Sequence, residues 1–99
     1  MNLQEFGPIE VDEIKAVRFD FSTETQTPLL DPVVEVSLLV GVDPDPDLVL
    51  VGPPAIVGFE VVQKIRPGVV GCEYKLRCVA DSSDGLRHAL SGKFRVVPG

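Results

Sequence analysis

The sequence predicts an all-β protein, a small antiparallel β-sandwich of six or seven strands. Seventeen valines stand against four alanines, a bias that favours strands over helices. Apolar runs recur about every 8 to 14 residues, as in sandwiches, and nine glycines and nine prolines supply turns between them. No segment has the pattern of a crossover helix, and 99 residues suffice for one domain only.

The first eight residues are predicted to be an extended N-terminal arm that ends at Gly7-Pro8, with residues 9–99 forming the domain. An arm without a core of its own would lie on a neighbouring molecule, so Leu3 and Phe6 are its candidate contact residues. The arm has neither the basic nor the apolar region of a secretory signal, and no apolar stretch reaches the length of a membrane span. We therefore expect neither a signal nor a membrane-bound form.

Residues 14–21 are predicted to form the first strand of the domain. Val17, Phe19 and Phe21 alternate with charged residues, which is typical of a strand with one buried face. A short helix that buries Ile14, Val17 and Phe21 is the alternative.

The middle of the chain is divided by prolines and glycines. We predict a loop at 23–32, a strand at 33–42, a rigid acidic connection at 43–47, and strands at 48–51 and 55–66. Gly52-Pro53-Pro54 would end one strand and Pro67-Gly68 the next, since proline lacks the N–H that a ladder requires. The buried face of the strand at 33–42 would hold Val34, Val36, Leu38 and Val40.

Residues 72–80 and 86–97 are predicted to form a hairpin whose register follows from its apolar faces. Both apolar sets must lie on one face, so the numbers of facing residues add to an even value. This excludes a two-residue loop and favours the loop 83–85, with Gly85 in the left-handed conformation. The resulting pairs are Tyr74 with Phe94, Leu76 with Gly92, Lys75 with Lys93, and Asp81 with Arg87.

Charge is divided unevenly along the chain. Residues 1–60 hold 12 acids and 2 bases (−10), and residues 61–99 hold 3 acids and 7 bases (+4), which together make the net −6. Either acidic strands neutralise basic strands within one sheet, or a bipolar surface docks on copies of the protein or on a larger assembly. The predicted hairpin gathers a basic outward patch of Lys75, Arg77, Lys93 and Arg95. Nucleic acid is not an expected partner, because the chain is acidic and lacks interleaved arginines and aromatics.

The triplet Asp43, Asp45 and Asp47 matches the first three ligand positions of a calcium loop. The match then fails, because Leu48 stands where such loops need glycine and Pro54 where they need a bidentate glutamate. We therefore expect no metal site.

Cysteine and histidine give no sign of catalysis. Cys72 and Cys78 are six residues apart on one predicted strand, about 20 Å, whereas a disulfide requires about 7 Å or less between Cα atoms. We expect both to be reduced core residues, as in a protein that folds in a cytoplasm. His88 is the only histidine, and no serine lies in a nucleophile-elbow motif, so we predict no catalytic residue and no cofactor.

Three parts of the sequence carry a family resemblance: MNLQEFGPIE (1–10), DPVVEV (31–36) with GVDP (41–44), and GCEYKLRC (71–78) followed by SDGLR (83–87). They resemble small structural proteins of tailed bacteriophages and prophages. The last part is similar to the final hairpin of immunoglobulin-like phage virion modules.

The resemblance implies an immunoglobulin-like sandwich with a non-enzymatic role in the virion, made in the cytoplasm of the bacterial host. Such a protein would decorate or stabilise the head by binding capsid or tail proteins and copies of itself. The alternative is a binding or adhesion module of a tail or fibre that contacts a receptor or a sugar. The expected contact residues are those of the arm and the basic patch, Leu3, Phe6, Lys75, Arg77, Lys93 and Arg95.

Overall fold

A computed structural model describes residues 3–99 and confirms the predicted all-β class. Its strands are β1 (Gln4–Glu10), β2 (Lys15–Asp20), β3 (Leu29–Val40), β4 (Leu50–Val57), β5 (Glu60–Ile65), β6 (Glu73–Ser82) and β7 (Arg87–Val97). Within residues 3–99 the only helix is a 3₁₀ turn, Pro46–Val49.

The strands form two sheets around one core. The four-stranded sheet has the order β1-β7-β6-β3, and the three-stranded sheet has the order β2-β5-β4. Four of the five strand pairings in the described residues are antiparallel, as predicted, but β1 runs parallel to β7. The buried apolar residues are Ile9, Val17, Phe19, Phe21, Leu29, Val49, Val61, Ile65, Cys72, Tyr74, Leu76, Cys78, Ala80, Phe94 and Val96.

The N-terminal residues belong to the sheet, which corrects the expectation of an arm outside the domain. Within the predicted arm, Gln4 lies opposite Gly92, Glu5 opposite Lys93 and Pro8 opposite Arg95 of β7. The register shifts between Glu5 and Pro8, where Gly7 has a positive φ of 80°. This β-bulge hides the strand pattern in the sequence, since one extra residue interrupts the alternation of inward and outward side chains. Residues 1 and 2 of the predicted arm lie outside the described residues.

Residues 14–21 are a strand and not a short helix: β2 buries Val17 and Phe19 between exposed neighbours. The next strand starts earlier than predicted, since β3 begins at Leu29 inside the expected loop. Val40, expected on the buried face, is 52% exposed because the register shifts between Leu38 and Val40.

The predicted break at Gly52-Pro53-Pro54 does not end a strand, because β4 continues from Leu50 to Val57. The strand lies at the edge of its sheet, where a missing N–H breaks no ladder bond. Its register shifts between Val51 and Ala55. The buried Gln63 side chain donates to the Gly52 carbonyl within this shift, at 3.1 Å.

The predicted single strand at 55–66 is instead parts of two strands, β4 and β5, joined by the two-residue turn Gly58-Phe59. Gly58 has a φ of 61°. A glycine with positive φ at the first central position is typical of a tight hairpin turn.

The register predicted for the last hairpin is confirmed. Tyr74 faces Phe94, Leu76 faces Gly92, Lys75 faces Lys93 and Asp81 faces Arg87. Ser82 donates its backbone N–H to the Leu86 carbonyl at 2.8 Å, which closes the three-residue loop 83–85, and Gly85 has a φ of 88°.

Candidate functional site

The outward surface of the four-stranded sheet, called the outer face below, contains the four predicted basic residues. Burial alternates along β6, so Lys75 and Arg77 project away from the core between the buried Tyr74, Leu76 and Cys78. Lys93 and Arg95 do the same on β7. The structure therefore brings the predicted patch together on the two central strands of one sheet.

Acidic side chains lie among these basic residues. Lys93 Nζ is 3.3 Å from Glu73 Oε1 and 3.4 Å from Glu5 Oε2. The pKa of Lys93 is raised above its usual range. The largest cause is its hydrogen bond to Glu73, followed by the charge of Glu73 and then by the hydrogen bond and charge of Glu5. The two carboxylates also lie beside the directly opposed Lys75–Lys93 pair and reduce its repulsion.

The third acid, Glu35 of β3, faces Arg77 across the sheet. Glu5 and Glu35 come from the acidic first part of the chain, and the bases beside them come from the second. The charge asymmetry is thus partly neutralised within the four-stranded sheet, which favours the first of the two interpretations given above. Arg77 and Arg95 are exposed, and neither has a carboxylate within 4.0 Å among residues 3–99.

The two candidate contact residues of the arm have different surroundings. Phe6 packs edge-on against Phe19, with ring centroids 5.3 Å apart. Its ring also covers Gly92, where an added Cβ would overlap it. Phe6 is therefore engaged inside the molecule, between the two sheets. Leu3 lies before β1 and is half-buried.

A shallow groove of about 540 Å³ crosses the outer face from β3 to β7. Val33 and Val79, which face each other, form its apolar floor. Arg87 at one side holds Asp81 by two hydrogen bonds, of 2.7 and 3.4 Å. The remaining lining residues are Asp31, Glu35 and Arg77.

A polar cluster at the turn between β6 and β7 was not predicted. Ser82 Oγ donates to the Asp84 carboxylate and lies 3.1 Å from His88 Nε2. The Ser82 hydrogen bond holds the pKa of Asp84 below its usual range. Because the serine proton points to the aspartate, the histidine is not placed to remove it, and Ser82 is 2% exposed. These contacts organise the turn, and the Ser82-x-Asp84-Gly85 pattern is the only sequence signal for them.

The Asp43 loop is tied to the core by hydrogen bonds. Asp43 Oδ2 accepts the Tyr74 hydroxyl at 2.6 Å, and Oδ1 accepts the Asp45 N–H at 2.9 Å. Tyr74 in turn accepts the Val69 N–H at 2.9 Å. Burial and the Asp43 carboxylate raise the pKa of Tyr74 well above its usual value.

Among residues 3–99, no three His, Cys, Asp or Glu side chains are grouped so that they could hold a metal ion. Cys72 and Cys78 are free and buried, as predicted for core residues. Burial raises the pKa of Cys78 to about 12.

No model of a known protein family matches this chain. A search of curated proteins finds no relative either. In the described part of the chain, no helix is long and apolar enough to cross a membrane.

Proposed function

We propose that this chain is a non-enzymatic structural protein of a tailed-bacteriophage virion, where it decorates or stabilises the head by binding other virion proteins. The outer face is the binding surface. The observation that carries this proposal is the combination of exposed arginines, Arg77 and Arg95, with the apolar floor of Val33 and Val79 on one sheet surface. Arginine beside apolar surface is typical of protein–protein interfaces.

The proposal includes an immunoglobulin-like arrangement, which the strand order supports. In immunoglobulin domains the second, fifth and fourth strands share one sheet, and the third, sixth and seventh share the other. Here β2-β5-β4 face β7-β6-β3 in the same way. β1 lies beside β7, whereas in the constant-type domain the first strand joins the other sheet.

The virion setting is supported by the sequence resemblance alone. Its late part, residues 71–78 and 83–87, coincides with β6 and the turn that follows it. Those residues include Lys75 and Arg77, so this part of the resemblance overlaps part of the surface to which we assign binding.

The alternative, a fibre module that binds sugar, receives less support from the surface. Sugar platforms use exposed aromatic rings. Of the six aromatic residues, all within residues 3–99, four are buried, Phe6 is half-buried and only Phe59 is exposed, at 38%.

The proposal is tested by counting copies of the chain in purified virions with quantitative mass spectrometry. We expect a copy number that matches the capsid subunits. A few copies confined to the tail would refute head decoration, and absence from the virion would refute the structural role.

The binding face is tested with particles assembled without this chain, to which purified protein is added. Replacing Arg77 and Arg95 of the outer face together, Arg77→Ala with Arg95→Ala, should reduce the bound copies at least about tenfold, since arginine side chains commonly dominate interface energies. The matched control is Arg18→Ala, an exposed arginine on the three-stranded sheet. Equal binding by the wild type and the double variant would exclude the outer face.

A further inference from the structure

Four strands lie at sheet edges, and three of them are protected against pairing with another chain. β1 contains Pro8 and a bulge, and β4 contains Pro53 and Pro54. β2 is only six residues long, and its Arg18 carbonyl accepts a hydrogen bond from the Gln4 side chain of β1 at 3.4 Å. Prolines, bulges, short strands and covering groups are the common protections of sheet edges.

The fourth edge, β3, has neither a proline nor a register shift over residues 33–38. It is the longest strand at 12 residues, and its Pro32 and both register shifts lie outside this segment. In the described residues β6 is its only strand partner, so its other side presents backbone N–H and C=O groups without a ladder. The chemistry that satisfies such groups is another extended strand.

The side chains along this edge are largely apolar. On the outer face, Val33 is 51% exposed and Leu39 is 45% exposed. On the inner side, Val34, Val36 and Leu38 pack against the core and stay only partly buried, and among residues 3–99 no strand continues the sheet beyond them.

We propose that β3 pairs antiparallel with β3 of a second copy of this chain, with Val36 opposite Val36. The pair would be two-fold symmetric and would join the two four-stranded sheets into one of eight strands. It uses the edge of the sheet and therefore does not depend on the function proposed for the outer face.

The register follows from the side chains of the segment. The numbers of two facing residues must add to an even value, as in the hairpin, so that core-facing side chains lie beside core-facing ones and outward side chains beside outward ones. If the two-fold axis of the strand pair passes through residue 35, Glu35 faces Glu35 of the other copy, and like charges directly opposite are unfavourable. A centre at 37 places Glu35 against the apolar Leu39. A two-fold centre at Val36 pairs Val34 with Leu38 and Glu35 with Ser37, all within the regular segment 33–38.

The first test is the mass of the purified chain by sedimentation equilibrium, from about 1 µM to about 1 mM, the range of weak to moderate association. We expect a shift from 10.7 kDa to twice that mass. A monomer across the whole range would overturn the proposal.

The second test is Ser37→Glu, which places a carboxylate opposite Glu35 of the other copy at two symmetric positions. Two like-charge pairs correspond to about a tenfold rise in the dimer Kd. The variant should fold, since the new carboxylate lies opposite Lys75 within its own sheet. The matched control is Ser91→Glu, which also adds a carboxylate to the outer face, opposite Arg77, but on β7, a central strand of the sheet. The dimer Kd of this variant should equal that of the wild type.

Adding Glu35→Gln to Ser37→Glu should restore the wild-type Kd, because it removes the repulsion specific to the register centred on Val36. An unchanged Kd in Ser37→Glu, a failure of this rescue, or an equal rise in Ser91→Glu would each overturn the proposal. Circular dichroism melts confirm that every variant is folded. Loss of dimerisation with particle binding intact would separate this inference from the proposed function.

Discussion

Replacing Tyr74 by phenylalanine removes one oxygen atom from the largest fully buried side chain in residues 3–99. Tyr74 is fully buried, and its ring stacks on Phe94 with centroids 5.2 Å apart. The phenylalanine ring can keep this stacking. What it loses are the hydrogen bonds to the Asp43 carboxylate, at 2.6 Å, and from the Val69 N–H, at 2.9 Å.

The cost of Tyr74→Phe is worked from these two bonds. A hydrogen bond to a charged group contributes about 1.5 to 3 kcal/mol and one between neutral groups about 1 kcal/mol. Asp43 is only half-buried and water can reach it after the change, so the charged bond counts at the low end of its range. The two bonds together predict a loss of about 2.5 kcal/mol of unfolding free energy, or roughly 15 °C in Tm for a domain of this size.

The assay is urea unfolding at pH 7 of the wild type, Tyr74→Phe, Asp43→Ala and the double variant. The double-mutant cycle should give a coupling energy of about 1 to 2 kcal/mol between the two side chains. A loss below about 0.5 kcal/mol in Tyr74→Phe, or strictly additive effects in the cycle, would refute the view that this bond fastens the Asp43 loop to the core.

Three further predictions concern stability. Deleting residues 1–8 should lower the free energy of unfolding, measured in urea, by about 3 kcal/mol, because it removes the packed Phe6 ring and part of the β1–β7 ladder. An unchanged urea midpoint would instead support an arm that does not pack on the domain. Gly92→Ala should cost about 2 kcal/mol by displacing the same ring, while Ser91→Ala beside it should stay within about 0.5 kcal/mol. Cys78, with its pKa raised from 9.0 to about 12, stays protonated in the folded chain while the unfolded thiol ionises, so its contribution is complete below pH 9 and lost as the pH rises toward 12. As the pH rises from 8 to 11, the free energy of unfolding should therefore fall less in Cys78→Ala than in the wild type. Parallel plots of unfolding free energy against pH for the two proteins would contradict this.

Local patterns in the sequence were sufficient for the last hairpin. Tyr74, Leu76 and Cys78 alternate with outward residues on β6, and the apolar residues of β7 alternate in the same way. Together with the three-residue loop 83–85, these two alternations predict both the register and the outward position of the basic residues. This succeeds because a hairpin is closed by a few residues, and its two faces must match across a short turn.

Local patterns failed where a distant strand decides the structure. Glu5 reaches Lys93 only because β1 pairs in parallel with a strand at the other end of the chain, and the bulge at Gly7 conceals its alternation. In the same way, Pro53 and Pro54 signal a break that the edge position of β4 makes unnecessary.

The sequence by itself therefore determined the all-β class, the hairpin and the uneven division of charge. Only the tertiary structure decided that acidic β1 and β3 flank the basic strands β6 and β7, and that β3 lies at an edge of its sheet. The physical reason is that side-chain alternation records which face of a strand is buried, whereas strand order depends on long-range packing of both sheets around one core.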